Sequence, residues 1–188
     1  MASAAVAVLT LTLAACAQDS GNSTDVADQG YQSGDGSVRV WNAQERGESV
    51  LLKGKDFAGQ ERSTEDLQGN VVVLNTWYAA CPPCRSEAPD LLAIATEHAA
   101  DDVEFLGINR TDDAGAAQAF EREFDITWPS IEDRSGQAIA TLAGIVPIKA
   151  VPTTVVLDQQ GRVAARVLGQ IDKSTLDTLI SDLLNEEA

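Results

Sequence analysis

Asn75-Thr76-Trp77-Tyr78-Ala79-Ala80-Cys81-Pro82-Pro83-Cys84-Arg85 is the stretch that organises the rest of the chain. It continues an apolar run, Val71-Val72-Val73-Leu74, whose β-branched content and short length predict a buried strand. Beyond Cys84 the spacing becomes helical, with Ala88, Leu91, Leu92, Ala95 and Ala99 predicted on one face. Pro83 suits a first helical position, where its missing N–H costs nothing. Cys81 therefore falls where a strand ends and a helix begins. Two thiols separated by two residues can close a small disulfide, and a helix N-terminus favours the thiolate of the first. A structural disulfide or half of a zinc site are the alternatives. The chain has no second cysteine pair and one histidine, His98, so no metal site is expected and a redox dithiol is the preferred reading.

The 188 residues suffice for one domain with a substantial core and a tail. Thirteen Lys and Arg stand against 29 Asp and Glu, a formal charge of −16, which argues against nucleic acid or anionic lipid as partners. Residues 1–15 hold an apolar run too short to span a bilayer and sized for a signal-peptide core. No Lys or Arg precedes that run, a departure from the usual signal pattern. It ends in Leu13-Ala14-Ala15-Cys16, which resembles the lipobox of bacterial lipoproteins and implies lipidation of Cys16. Residues 16–37 then read as a flexible tether, because Asp, Ser, Gly, Asn, Gln and Thr dominate. Such a segment spans roughly 25 Å as a random coil.

Residues 38–188 carry the composition of a folded domain. Val50-Leu51-Leu52 and Phe57, around Lys53-Gly54-Lys55-Asp56 and Gly59, predict a short hairpin, and residues 64–69 a helical turn. Residues 103–108 read as a second buried strand. Ala116, Ala117, Phe120 and Phe124 mark a helix after Asp112-Asp113, and Ile139, Leu142 and Ala143 a shorter one after Gly136. Residues 152–158 begin a strand that turns at Gly161-Arg162 and returns antiparallel as residues 163–168. Leu176, Leu179, Ile180, Leu183 and Leu184 form a closing helical stripe capped by Asp172 or Ser174. Strands alternating with helices, then a hairpin and a helix, give an α/β fold: a central mixed sheet flanked by helices, with an N-terminal hairpin extension.

Over residues 38–188 the chain resembles the thioredoxin superfamily, and more narrowly the extracytoplasmic thiol-disulfide reductases of the TlpA/ResA type. The carriers are Val-Val-Val-Leu-Asn-Thr-Trp (71–77), Cys-Pro-Pro-Cys-Arg-Ser-Glu-Ala-Pro (81–89) and Ala-Val-Pro-Thr-Thr-Val-Val-Leu-Asp-Gln-Gln-Gly-Arg-Val (150–163). The resemblance implies Cys81 as an exposed nucleophile and Cys84, one turn in and less exposed, as the resolving thiol. It makes Pro152 the cis-proline that lies, with Val151, against the cysteine pair, and it sets Glu87 near the thiols as a tuning group or proton acceptor. Asn75 stands where cytosolic thioredoxins place a buried aspartate. Trp77, Pro82, Pro83 and Val151 would border the substrate, with Trp77 either shaping the active-site rim or simply packing, whereas Arg85 reads as a surface helix residue and His98 as a packed or half-exposed structural histidine. Ala80 departs from the pattern, since relatives usually carry a Trp there to cover the disulfide.

The function implied is a membrane-anchored thiol-disulfide oxidoreductase outside the cytoplasm, reducing disulfides of secreted or membrane proteins, with cytochrome c maturation among its candidate duties. Its partners would be disulfide- or thiol-bearing proteins and a membrane thiol-disulfide electron donor. Its only redox group would be the Cys81–Cys84 pair, with no cofactor. A disulfide-forming oxidant of the same fold is the alternative, since potentials in such sites span roughly −270 to −120 mV. A copper carrier of the thioredoxin fold would resemble Cys-x-x-x-Cys with a distal histidine, and none follows His98. A peroxidase would need Pro-x-x-x-Thr-x-x-Cys, which the residues before Cys81 do not supply.

Overall fold

The computed structural model describes residues 37–147 and 149–186. The signal segment over 1–15, Cys16 and the tether except Ser37 lie outside the described residues.

Six strands form the main sheet in the order β1 (Val38–Val40), β8 (Val163–Leu168), β7 (Thr153–Leu157), β4 (Val71–Thr76), β5 (Val103–Asn109), β6 (Ser130–Glu132). The β4–β5 and β5–β6 pairs are parallel and the others antiparallel, so the sheet is mixed. Helices α1 (Pro82–Glu97), α2 (Ala114–Glu123), α3 (Gln137–Ala140) and α4 (Lys173–Asn185) surround it. The hairpin β2 (Lys53–Lys55) and β3 (Glu61–Ser63) forms a separate two-stranded sheet, joined to β6 by an Asp56–Ile131 bridge. A 3-10 turn over Thr64–Leu67 leads into β4.

Every residue of β4 is buried, as a central strand covered on both faces must be. Alternation splits its side chains between two cores. Val71 and Val73 pack with Leu91 and Ile94 of α1 and the Leu176, Leu179, Ile180, Leu183 stripe of α4. Val72 and Leu74 pack with Leu52, Ile139, Leu142 and Val146. The same alternation turns Asn75 and Trp77 toward α1. Arg46, its side chain fully enclosed, ties the N-terminal segment to the C-terminus through Asp158 (3.1 Å) and Glu186 (2.5 Å).

The structure corrects several local expectations. The buried row of α1 is Cys84, Glu87, Ala88, Leu91 and Ile94, while Leu92 and Ala95 are half-buried and Ala99 lies exposed beyond the helix. The apolar pattern misled because a buried carboxylate occupies one of the inward positions. Pro82, not Pro83, takes the first helical position, with Cys81 as the N-cap. Ala116 and Ala143 are exposed, alanine being small enough to sit on either side of a helix. In the hairpin, Val50-Leu51-Leu52 precede β2, and Leu51 stays exposed. The short strands β1 and β6 carried no sequence signal of their own; three-residue edge strands are recruited by pairing rather than by pattern.

Candidate active site

Cys81 and Cys84 are joined by a disulfide across the first turn of α1, with Cα atoms 5.2 Å apart. The Cys84 N–H donates to Cys81 Sγ at 3.2 Å, so Cys81 caps the helix with its own sulfur. A backbone donor and the positive helix end, both aimed at one sulfur, favour its thiolate once the bond is reduced. Pro82 is exposed and Pro83 half-buried beside it.

The expected difference in exposure is absent. Cys81 is 1% exposed and Cys84 2%, so in the oxidised protein neither sulfur is open. Ala80 is exposed and supplies no cover, but other residues do. Trp77 and Phe120 share the cysteines' cluster, with Phe57, Tyr78 and Val151 packed on its margin. Phe57 comes from the β2–β3 turn, which gives the N-terminal hairpin a place at the site.

The loop before Cys81 is pinned at both ends of one residue. Ala79 N–H donates to Asp112 Oδ2 at 2.6 Å, and that oxygen also accepts from Asn109 Nδ2 at 2.8 Å. On the other side Ala79 O accepts from Arg85 Nη1 at 3.4 Å. Arg85 is therefore more than a surface helix residue. It pairs with Glu123, and its guanidinium lies 4.9 Å from the Phe124 ring centroid. Sequence reading missed Asn109 and Asp112 as site residues. The signal available was Asn-x-x-Asp directly after a buried strand at the sheet's active end.

Glu87 is 1% exposed. Its Oε1 accepts from Asn75 Nδ2 at 2.9 Å and its Oε2 from the Ile171 N–H at 3.1 Å. Burial pushes its carboxyl up to about 7, against the downward pull of those two donors. Asn75 spends its other amide contact on Thr154 Oγ1 at 3.3 Å. Asn75 and Cys84 line one narrow cavity of about 10 Å³, near the lower limit for holding a water molecule.

The Val151–Pro152 peptide is cis, and Pro152 is buried and Val151 half-buried. Trp77 forms an inner wall instead of an open rim. It is 6% exposed, stacks on Phe120 at 4.5 Å, and donates from Nε1 to Ser130 Oγ at 3.2 Å. Gly107 permits that approach, since a Cβ there would stand 2.8 Å from Trp77 Nε1. His98 caps α1 at its far end, bonded to Asp101 (2.8 Å) and Asp177 (3.0 Å), a structural role remote from the sulfurs. Among the described residues no group of three or more His, Cys, Asp or Glu is placed to hold a metal ion.

A buried disulfide at a helix N-cap, beside a cis X-Pro peptide and a buried acid, is equipped for thiol-disulfide exchange. Comparison with known proteins agrees. Residues 48–166 match the model of the AhpC/TSA family. A thiol-disulfide oxidoreductase, ResA of Bacillus thuringiensis, is 26% identical over 128 residues, covering 68% of this chain and 72% of its own. A secreted thiol-disulfide isomerase from Corynebacterium glutamicum superposes with a TM-score of 0.76 at 32% identity, over 84% of this chain and 98% of its own. A DsbF homologue from Corynebacterium diphtheriae superposes with a TM-score of 0.71 at 32% identity, over 81% and 97%. With this family match and these relatives, the chain belongs to the AhpC/TSA family and is a thiol-disulfide oxidoreductase of thioredoxin-like fold.

Proposed function

We propose that the protein works outside the cytoplasm, held at the membrane through lipidated Cys16, and reduces disulfides of secreted or membrane proteins. In the reduced state the Cys81 thiolate attacks one sulfur of a partner disulfide. The mixed disulfide forms and the partner's other sulfur leaves as a thiolate, which takes up a proton. Cys84, passing its proton toward Glu87, then attacks Cys81 Sγ. The second partner sulfur is released and the Cys81–Cys84 disulfide re-forms, two electrons having moved to the partner. A membrane thiol-disulfide donor restores the dithiol, and no other cofactor takes part. The cysteines of a c-type cytochrome awaiting haem attachment are among the targets this reading includes.

The observation that carries the exchange chemistry is the Cys84 N–H to Cys81 Sγ bond at the start of α1, which marks Cys81 as the sulfur best able to carry charge. The same bond supports a second reading, a disulfide-forming oxidant, because stabilising the reduced thiolate raises the potential of the pair. Equilibration of the Cys81–Cys84 couple with glutathione decides between them. A value near −270 mV supports the reductant, and one near −120 mV transfers the assignment to the oxidant. For the anchor, Cys16→Ser should release the protein from the membrane fraction; an unchanged distribution removes lipidation from the reading.

A further inference from the structure

Beyond the dithiol lies a groove of about 250 Å³ on the β5 side of the cis-proline loop. Its floor is apolar, with Ile108, Ile139 and Val146 all at most 5% exposed. Its rim carries Arg110 and Lys149, both exposed. The chain has 29 acidic side chains against 13 basic ones, yet this lining contains two cations and no carboxylate. That inversion of local against overall charge is the unusual feature. Arg110 is seated by Gly136, whose lack of a Cβ and left-handed φ of 73° leave its guanidinium room. A Cβ there would stand 3.1 Å from Nη2. Trp77 and Val151 form the wall shared with the dithiol, since both line the groove and both belong to the packing around Cys81 and Cys84.

We infer that this groove selects the substrate polypeptide, taking an apolar side chain flanked by carboxylates that lie next to the cysteine under attack. The inference rests on the exchange reaction proposed above and adds to it a substrate class. The apolar floor supplies burial, and the two rim cations supply the sign of charge that is accepted. The protein's net charge of −16 acts in the opposite sense and disfavours an acidic ligand at long range. At physiological ionic strength that field is screened within about 8 Å, whereas contacts in the groove are not. A preference for acidic sequence must therefore come from local cations.

The test uses the reduced full-length protein and two synthetic disulfide peptides. They are identical except for the tract beside one cysteine, Leu-Glu-Glu in one and Leu-Lys-Lys in the other. At 0.15 M salt kcat/KM should favour the acidic peptide by about fivefold, the yield of a pair of rim contacts of ordinary strength. Lys149→Glu should abolish or invert that ratio. Lys53→Glu, which makes the same change of charge outside the groove lining, should preserve it. A preference for the basic peptide, or an acidic preference that survives Lys149→Glu, overturns the inference. If neither peptide is reduced, the proposed exchange is what has failed. Binding of the serine-substituted peptides to the oxidised protein, followed by tryptophan fluorescence, then judges the groove by the same ratio.

Discussion

Asn75 Nδ2 donates to Glu87 Oε1 at 2.9 Å, joining the end of β4 to the second turn of α1 beneath the cysteine pair. A side chain that can only donate through its nitrogen thus holds a carboxyl that burial keeps near neutrality. The pair places an acid of matched pKa beside the helix turn that carries Cys84. In the proposed mechanism Asn75 acts as its positioning residue.

The raised Glu87 carboxyl makes stability fall as pH rises. The folded state keeps a proton that the unfolded chain loses at its lower, ordinary pKa. The advantage of the protonated form is complete below about 4.5 and is lost as pH climbs through about 7, a swing of about 3 kcal/mol. Urea unfolding of the oxidised protein from pH 4 to 9 should show wild type losing that much relative to Glu87→Gln. A pH-independent difference would mean that Glu87 titrates normally. The glutamine cannot accept from both Asn75 and Ile171, so the variant should also carry a constant penalty of about 1–2 kcal/mol.

The same substitution should slow resolution of the mixed disulfide. Losing the acceptor for the Cys84 proton should cost about tenfold near pH 7, the low end for general-base catalysis, because thiols ionise partly unaided. Stopped-flow rates across pH should lose the inflection near 7. Superimposable profiles for wild type and Glu87→Gln would reduce Glu87 to a structural residue.

Asp112 should govern access to the disulfide. Its carboxylate accepts from Ala79 and Asn109 and fixes the loop that leads into Cys81. Asp112→Ala should free the loop and speed reduction by dithiothreitol by about tenfold, within the range for losing a charge-assisted hydrogen bond. Asp112→Asn retains an accepting oxygen and should stay near wild type. Equal rates for all three proteins would show that the buried sulfurs are reached by another path.

Cys81 should be the sulfur found in mixed disulfides. Cys84→Ser should trap partner proteins and Cys81→Ser should not, as resolved by non-reducing electrophoresis after quenching with acid. Capture by Cys81→Ser alone would reverse the roles. Equal burial of the two sulfurs gives exposure no part in this expectation, which rests on the N-cap geometry.

His98 should stabilise the protein in acid. Burial of the ring works against its charge, but the Asp177 and Asp101 carboxylates outweigh that and raise its pKa. Protonated His98 therefore contributes fully below its ordinary pKa of about 6.5, and the contribution is lost as pH rises through the higher folded-state value. His98→Asn should destabilise by on the order of 1 kcal/mol more at pH 5.5 than at pH 9. The opposite trend would mean a neutral ring in the native state.

Much of this was legible in the chain because it depends on local order. The strand-to-helix switch at Asn75–Cys84, the β7–β8 return at Gly161-Arg162 and the leucine stripe of α4 are each set by short-range periodicity and turn chemistry, which survive without tertiary context. The placement of Cys81 at the helix start followed for the same reason. What only the tertiary structure decided are relations between residues far apart in sequence. Asp112 reaches Ala79 across 33 residues, and Ile171 reaches Glu87 across 84. Such contacts leave no period in the sequence, in which Asp112 only precedes a helix and Arg85 reads as a surface helix residue. The burial of both sulfurs is non-local in the same way: the cover comes from Trp77, Phe120, Tyr78 and the hairpin's Phe57, while position 80 is an exposed alanine. Periodicity fixes which way a side chain faces along its own element. Long-range packing determines what it meets there, and at this site that is what sets access and acidity.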